Sequence, residues 1–243
     1  MSEKGVRRHC LRDQGRHSRS VTGEADFSRL EQAARKAATG DLTRAYAPWL
    51  AAKGAGLKAQ AKTALGAFMA IASTWPQDHR RAFVRWLDEA SDDLDDRRAM
   101  TAHPVMTGLV LPTLKDWAAT EPNDPWPHIL LGRFHDWTLD DRHPERHFRA
   151  AMMIAPDMIE ARRGVALWLL DIVERNQHHL PEDYLGDRAA DTARMEEVIQ
   201  LSAGLPDPDE AEGLRKRALR LRGQATGEIA GEGLTTYGIS PAT

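Results

Sequence analysis

Four histidines and three aspartates concentrate within twenty residues of this sequence: His128, His135, His143, His147, Asp136, Asp140 and Asp141. Imidazole and carboxylate groups can hold zinc or iron, and they can also transfer protons in catalysis. Pro144 places His143 at a helix start, and no His-Glu-x-x-His motif is present. The cluster 128–147 therefore supports only an alternative function, a metal-dependent or acid-base enzyme using His128, His135, His147 and Asp136. Our primary interpretation assigns no catalytic residue, no metal ligand and no cofactor.

Other features of the composition narrow the class of protein. Cys10 is the single cysteine, so an intrachain disulfide and a multi-thiolate zinc site are excluded, and a reducing cytoplasm is the expected location. The formal net charge of −3 gives no global attraction to nucleic acid or anionic lipid. The longest apolar run, near residues 64–72, is too short to cross a bilayer. We expect no membrane partner, and nucleic acid is disfavoured.

Apolar residues recur at helical spacing along most of the chain, and no segment alternates as a strand would. The pattern predicts an all-α protein. Pro48 and Pro112 should bend or end the helices that contain them. Predicted helices begin at Asp26 and Asp41 and further ones cover about 57–72, 83–87, 104–119, 159–173, 189–203 and 209–226.

Both ends of the sequence differ from this pattern. Residues 1–24 combine several basic side chains with few large apolar ones, and residues 227–243 contain repeated glycines. Such segments bury too little apolar surface to offset the entropy of ordering. We expect a flexible basic tail at 1–24, one helical domain over 25–226, and a flexible tail at 227–243.

The segment from Pro125 to Met158 contains a spaced set of helix-packing residues: Leu131, Gly132, Phe148, Ala151 and Pro156. A glycine lets a paired helix approach closely, a phenylalanine fills the space beside it, and a proline fixes the following turn. In these residues the segment resembles one tetratricopeptide repeat. The resemblance implies stacked antiparallel helix hairpins, as a tetratricopeptide-like superhelix or an irregular helical bundle.

The segment also departs from the family pattern. His128 and His135 replace aromatic residues, and Pro144 replaces a small helical residue, so the second helix should start late. In the next period, Val165 and Ala166 fall at the positions of Leu131 and Gly132. The repeat pattern extends over about residues 125–170.

The resemblance also implies a groove-facing surface on the first helix of each hairpin. Its residues would be Trp126, Ile129, Arg133, Asp136, Trp137, Glu160 and Arg163. An arginine and an aspartate beside two indoles could clamp a peptide carboxylate and offer apolar contact; the alternative is that Trp126 and Trp137 are buried and the charges are only solvated. The expected function is a non-catalytic interaction or scaffold module for a protein or peptide partner, and a homodimer is another reading of the same surface.

The last predicted helix is amphipathic and basic: its charged residues are Arg215, Lys216, Arg217, Arg220 and Arg222. Contact with RNA is one interpretation, but aromatic stacking residues are missing from its polar side. A polar outer face is also what the final helix of a stack requires. We therefore expect this helix to cap the fold.

Overall fold

A computed structural model describes residues 22–36, 41–91, 102–134, 143–180 and 183–228, with side chains from Phe27 onward. Within these ranges every regular element is helical, which confirms the all-α prediction. No helix among the described residues is long and apolar enough to cross a membrane. The chain divides into two compact units, Met1–Val105 and Met106–Thr243. The predicted single domain over 25–226 stays a prediction.

The first unit contains α1 (Thr22–Lys36), α2 (Asp41–Arg44), α3 (Ala47–Gly54), α4 (Lys58–Ser73), α5 (Gln77–Ser91) and the short turn α6 (His103–Val105). Helix α1 begins inside the stretch assigned to the basic tail, four residues before the predicted start at Asp26. Pro48 lies in the first turn of α3, where its missing amide is tolerated, so the predicted early break after Asp41 is confirmed. The rest of the predicted tail, with Cys10, lies outside the described residues.

Aromatic packing forms the core of the first unit. Tyr46 is fully buried and stacks on Trp49 at 4.8 Å between ring centroids, with Phe68 at 4.7 Å and Phe83 at 5.5 Å. Burial raises the pKa of Tyr46 well above its ordinary value. The phenol is therefore a neutral core group and not a candidate acid or base.

The second unit begins with a π-helical segment (Met106–Val110) that continues into α7 (Leu111–Thr120). Pro112 lies in the first turn of α7, and it has no amide to donate back into the helix. The Thr113 hydroxyl donates a 2.6 Å hydrogen bond to the Leu109 carbonyl. The expected irregularity at Pro112 thus takes the form of a π turn immediately before it.

The remaining helices of the second unit alternate between two layers. They are α8 (Trp126–Arg133), α9 (Glu145–Ile154), α10 (Ile159–Gln177), α11 (Arg188–Ser202) and α12 (Pro208–Thr226). Helix α10 contacts both α8 and α12, whereas α9 packs against α8 and α10, and α11 packs against α10 and α12. Helices α8, α10 and α12 therefore form one layer, and α9 and α11 lie on it. Pro144 directly precedes α9, which confirms the predicted late start.

Phe148 fills the space between the two layers. Its ring contacts Gly132 on α8 and Gly164 on α10 so closely that a β-carbon at either glycine would overlap it; at Gly132 the separation from Cζ would be 2.7 Å. The pairing with Gly132 agrees with the sequence interpretation. The pairing with Gly164 was not predicted, because the 34-residue period placed the small residue at Ala166.

Candidate functional site

Those residues predicted to line a groove that the structure describes lie on α8 and α10, in the same layer. Trp126, Arg133, Glu160 and Arg163 are each partly exposed. The indole of Trp126 packs against the core cluster of the second unit and still retains exposed surface. Asp136 and Trp137 lie outside the described residues.

Ile129 is the exception and requires a correction. Its side chain is 0% exposed and belongs to the core cluster formed with Phe148, Val165 and Leu169. Because α8 packs against α9 and α10, the position is enclosed by its neighbours. Ile129 stabilises the fold and offers no surface to a partner.

Arg163 makes a bidentate ion pair with Glu210 on α12. Its Nε lies 2.5 Å from Glu210 Oε1 and its terminal nitrogen lies 2.6 Å from Oε2. These hydrogen bonds raise the pKa of Arg163. The fixed geometry of such a pair joins α10 to α12, so the guanidinium is already occupied by a carboxylate of the same chain.

A second pair of the same type joins the two helices about three turns further along. Arg217 on α12 donates from Nε to Glu174 Oε1 at 2.6 Å, and its second contact is with Glu174 Oε2. Arg220 also approaches Glu174, at 3.6 Å. Helices α10 and α12 are thus held together by charge pairs at two levels.

Leu167 lies between these two levels on α10. Spacings of four residues from Arg163 and seven to Glu174 place all three side chains on one helix face. Leu167 is 39% exposed although the helix around it is well packed. The sequence interpretation missed it, yet one 34-residue step from Arg133 leads to this position. We call Trp126, Arg133, Glu160, Arg163 and Leu167 the α8–α10 face.

The basic side chains of α12 are paired with carboxylates. Arg215 and Lys216 contact Glu212 of the same helix, at 2.9 Å and 3.6 Å. Arg222 reaches Glu196 of α11 at 2.5 Å, and Arg217 contacts Glu174 as described above. A helix whose cations are neutralised by neighbours has little charge left for a phosphate backbone, which agrees with the interpretation as a cap.

The loop between α10 and α11 is attached to a buried carboxylate. Asp191 is 0% exposed and accepts hydrogen bonds from Tyr184 Oη at 2.7 Å and Asn176 Nδ2 at 2.9 Å, with Arg194 as a third partner. Burial and the hydrogen bond to Asp191 help to raise the pKa of Tyr184 to about 12, so the phenol stays neutral. Arg188 covers the Tyr184 ring at 4.2 Å. These hydrogen bonds attach Tyr184 to helices α10 and α11. Asp191 therefore has a structural role.

The histidine cluster is only partly assembled by the described chain. His128 on α8 and His147 on α9 approach to 6.1 Å between ring centroids. His143 is exposed at the start of α9, and His135 and Asp136 lie outside the described residues. Over the ranges that the structure describes, no three His, Cys, Asp or Glu side chains form a metal-binding group. The enzyme hypothesis therefore stays a prediction supported by one histidine pair.

Comparisons with protein-family models, with curated proteins and with solved structures found no match.

Proposed function

We propose that this protein is a non-catalytic interaction module that binds a protein or peptide partner through the α8–α10 face. The observation that supports the proposal best is the partly exposed Leu167 between the Arg163–Glu210 and Glu174–Arg217 pairs. A partly exposed apolar side chain with charged groups around it matches the apolar centre and polar rim of a protein interface. The stacked-hairpin order and the resemblance to a tetratricopeptide repeat support the same proposal.

The partner chemistry that fits this face is an apolar side chain with polar neighbours. Arg163 already holds Glu210, so a partner carboxylate would have to displace an internal ion pair. A clamp on a peptide carboxylate is therefore less favourable than contact with Leu167 and the exposed part of Trp126. The charge pairs on either side would orient a polar peptide backbone without changing partners. The cytoplasm is the proposed location, because Cys10 is the only cysteine.

The experiment is a quantitative affinity purification from the native cell with Leu167→Asp beside the wild-type chain. A buried carboxylate at the centre of an interface is strongly unfavourable, so we expect loss of the partner by a factor of about ten or more. Because Leu167 is already partly exposed, thermal stability should change little. Partners are identified and quantified by mass spectrometry.

Met153→Asp is the matched control. Met153 is 84% exposed on α9, in the other layer, and it receives the same chemical change. Equal recovery of every partner with both variants would contradict the proposal. Light scattering on the wild-type chain tests the homodimer, whose loss in Leu167→Asp would assign the face to self-association.

A further inference from the structure

Two imidazoles from different helices meet in the α8–α9 hairpin. His128 lies in α8 and His147 in α9, and their rings are inclined by 31° at a centroid separation of 6.1 Å. The residues are nineteen positions apart in the sequence, so helix packing and not local chain geometry brings them together. Both rings are partly buried.

Their separation fits a shared transition-metal ion. With imidazole nitrogens about 2.0–2.1 Å from zinc, two rings on one ion have centroids roughly 5–6 Å apart. The observed 6.1 Å lies just above this range. A direct ring stack would be closer, as in the pair His178–His179 at 3.8 Å, where no ion fits between the rings.

The chemistry of His128 also suits a ligand. Its Nδ1 atom is buried and has no hydrogen-bond partner among the described residues. A buried polar nitrogen without a partner destabilises the fold unless something else satisfies it. Burial, and then the neighbouring His147, lower the pKa of His128, which leaves a neutral imidazole lone pair at pH 7.

We propose that His128 and His147 bind one divalent transition-metal ion, with zinc as the expected occupant and water in the remaining positions. Neutral imidazole is a good ligand for zinc, copper and nickel, whereas magnesium and calcium prefer oxygen. The ion would link α8 to α9 beside Phe148, the residue that packs the same hairpin. The site uses no residue of the α8–α10 face.

The test is calorimetric titration of the full, tag-free chain with zinc chloride at about pH 7.5, where histidine ligands are neutral. We expect one zinc ion per chain in the wild type. His128→Gln and His147→Gln should each weaken binding by at least about tenfold, because each removes one of two protein ligands. Magnesium chloride in the same cell should produce no binding heat.

The double variant His178→Gln, His179→Gln is the matched control, since it removes an exposed histidine pair with one ring already bonded to the Arg175 carbonyl. It should bind zinc as the wild type does. Absence of binding in the wild type, or unchanged affinity in both single variants, would overturn the proposal. If either variant fails to fold, the NMR resonances of the histidine rings in the wild type test the site. Zinc should shift the resonances of His128 and His147. Shifts confined to other histidines would exclude this site.

Discussion

The aromatic ring of Phe148 on α9 lies directly against the α-carbon of Gly164 on α10. Helix α10 can approach α9 this closely only because Gly164 has no side chain. The tip of the same ring lies against Gly132 on α8, with 2.7 Å between a hypothetical β-carbon and Phe148 Cζ. One ring therefore sets the spacing of α8, α9 and α10. The layer that presents Leu167 and Arg163 depends on this contact.

Gly164→Ala should destabilise the second unit by about 1–3 kcal/mol, because the added methyl group must displace a packed ring. Gly66→Ala is the control on α4, where a β-carbon would meet nothing within 4 Å, and it should stabilise by about 0.5–1 kcal/mol. Urea unfolding followed by circular dichroism measures both. Phe148→Leu in the Gly164→Ala background should recover part of the loss; additive effects would show that the two sites do not share a contact.

Much of the helical order could be predicted from the sequence, because prolines and apolar spacing act locally. Pro48 lies in the first turn of α3 and Pro144 directly precedes α9, so both prolines mark the expected breaks, and α10 starts at the predicted Ile159. The candidate binding face was harder to predict than the helices, since it depends on how each helix is rotated about its axis. Ile129 was wrongly placed on the groove because the repeat offsets assume regular packing, whereas this position of α8 faces α9 and α10.

Long-range polar contacts were beyond sequence reasoning for a related reason. Arg163 and Glu210 are 47 residues apart, and no local pattern specifies their pairing. Phe148 contacts Gly164, two residues before Ala166, where a fixed period of 34 residues places the small residue. A strict repeat period therefore cannot predict this contact. Leu167 could have been found by the same period, since it follows Arg133 by one step.

Asp191→Ala should lower the free energy of unfolding of the second unit by about 3 kcal/mol. The substitution removes a buried carboxylate and leaves the Tyr184 hydroxyl and the Asn176 amide without their shared acceptor. Proteolysis of the 183–187 loop should accelerate in parallel. Asp171→Ala is the control: its ion pair with Arg175 is solvent-exposed, so the expected change is below about 0.5 kcal/mol. Similar losses in both variants would contradict the structural role of the network.

Two aspartates cap helices in the second unit and should contribute equally. Asp187 Oδ1 accepts from the amides of Ala189 and Ala190 at 2.9 and 3.2 Å, and Asp207 Oδ1 accepts from those of Asp209 and Glu210 at 3.0 and 3.3 Å. Replacing either cap by alanine should cost about 1 kcal/mol in chemical denaturation, because the amides at the helix start lose their acceptor. Serine at the same position should restore most of the stability. A loss that serine does not recover would indicate a role other than capping.

Acidification should destabilise the second unit through His128. Burial and the charge of His147 lower the pKa of this imidazole from its ordinary value of 6.5, so the unfolded chain takes up a proton at a higher pH than the folded one. The stability that depends on a neutral His128 is therefore fully present above about pH 6.5. It is lost as the pH falls from there through the pKa of His128 in the folded state. Thermal unfolding in EDTA between pH 7.5 and 5 measures the effect without bound metal. His128→Gln should flatten the profile over that window. An unaltered slope in His128→Gln would assign the pH dependence to other groups.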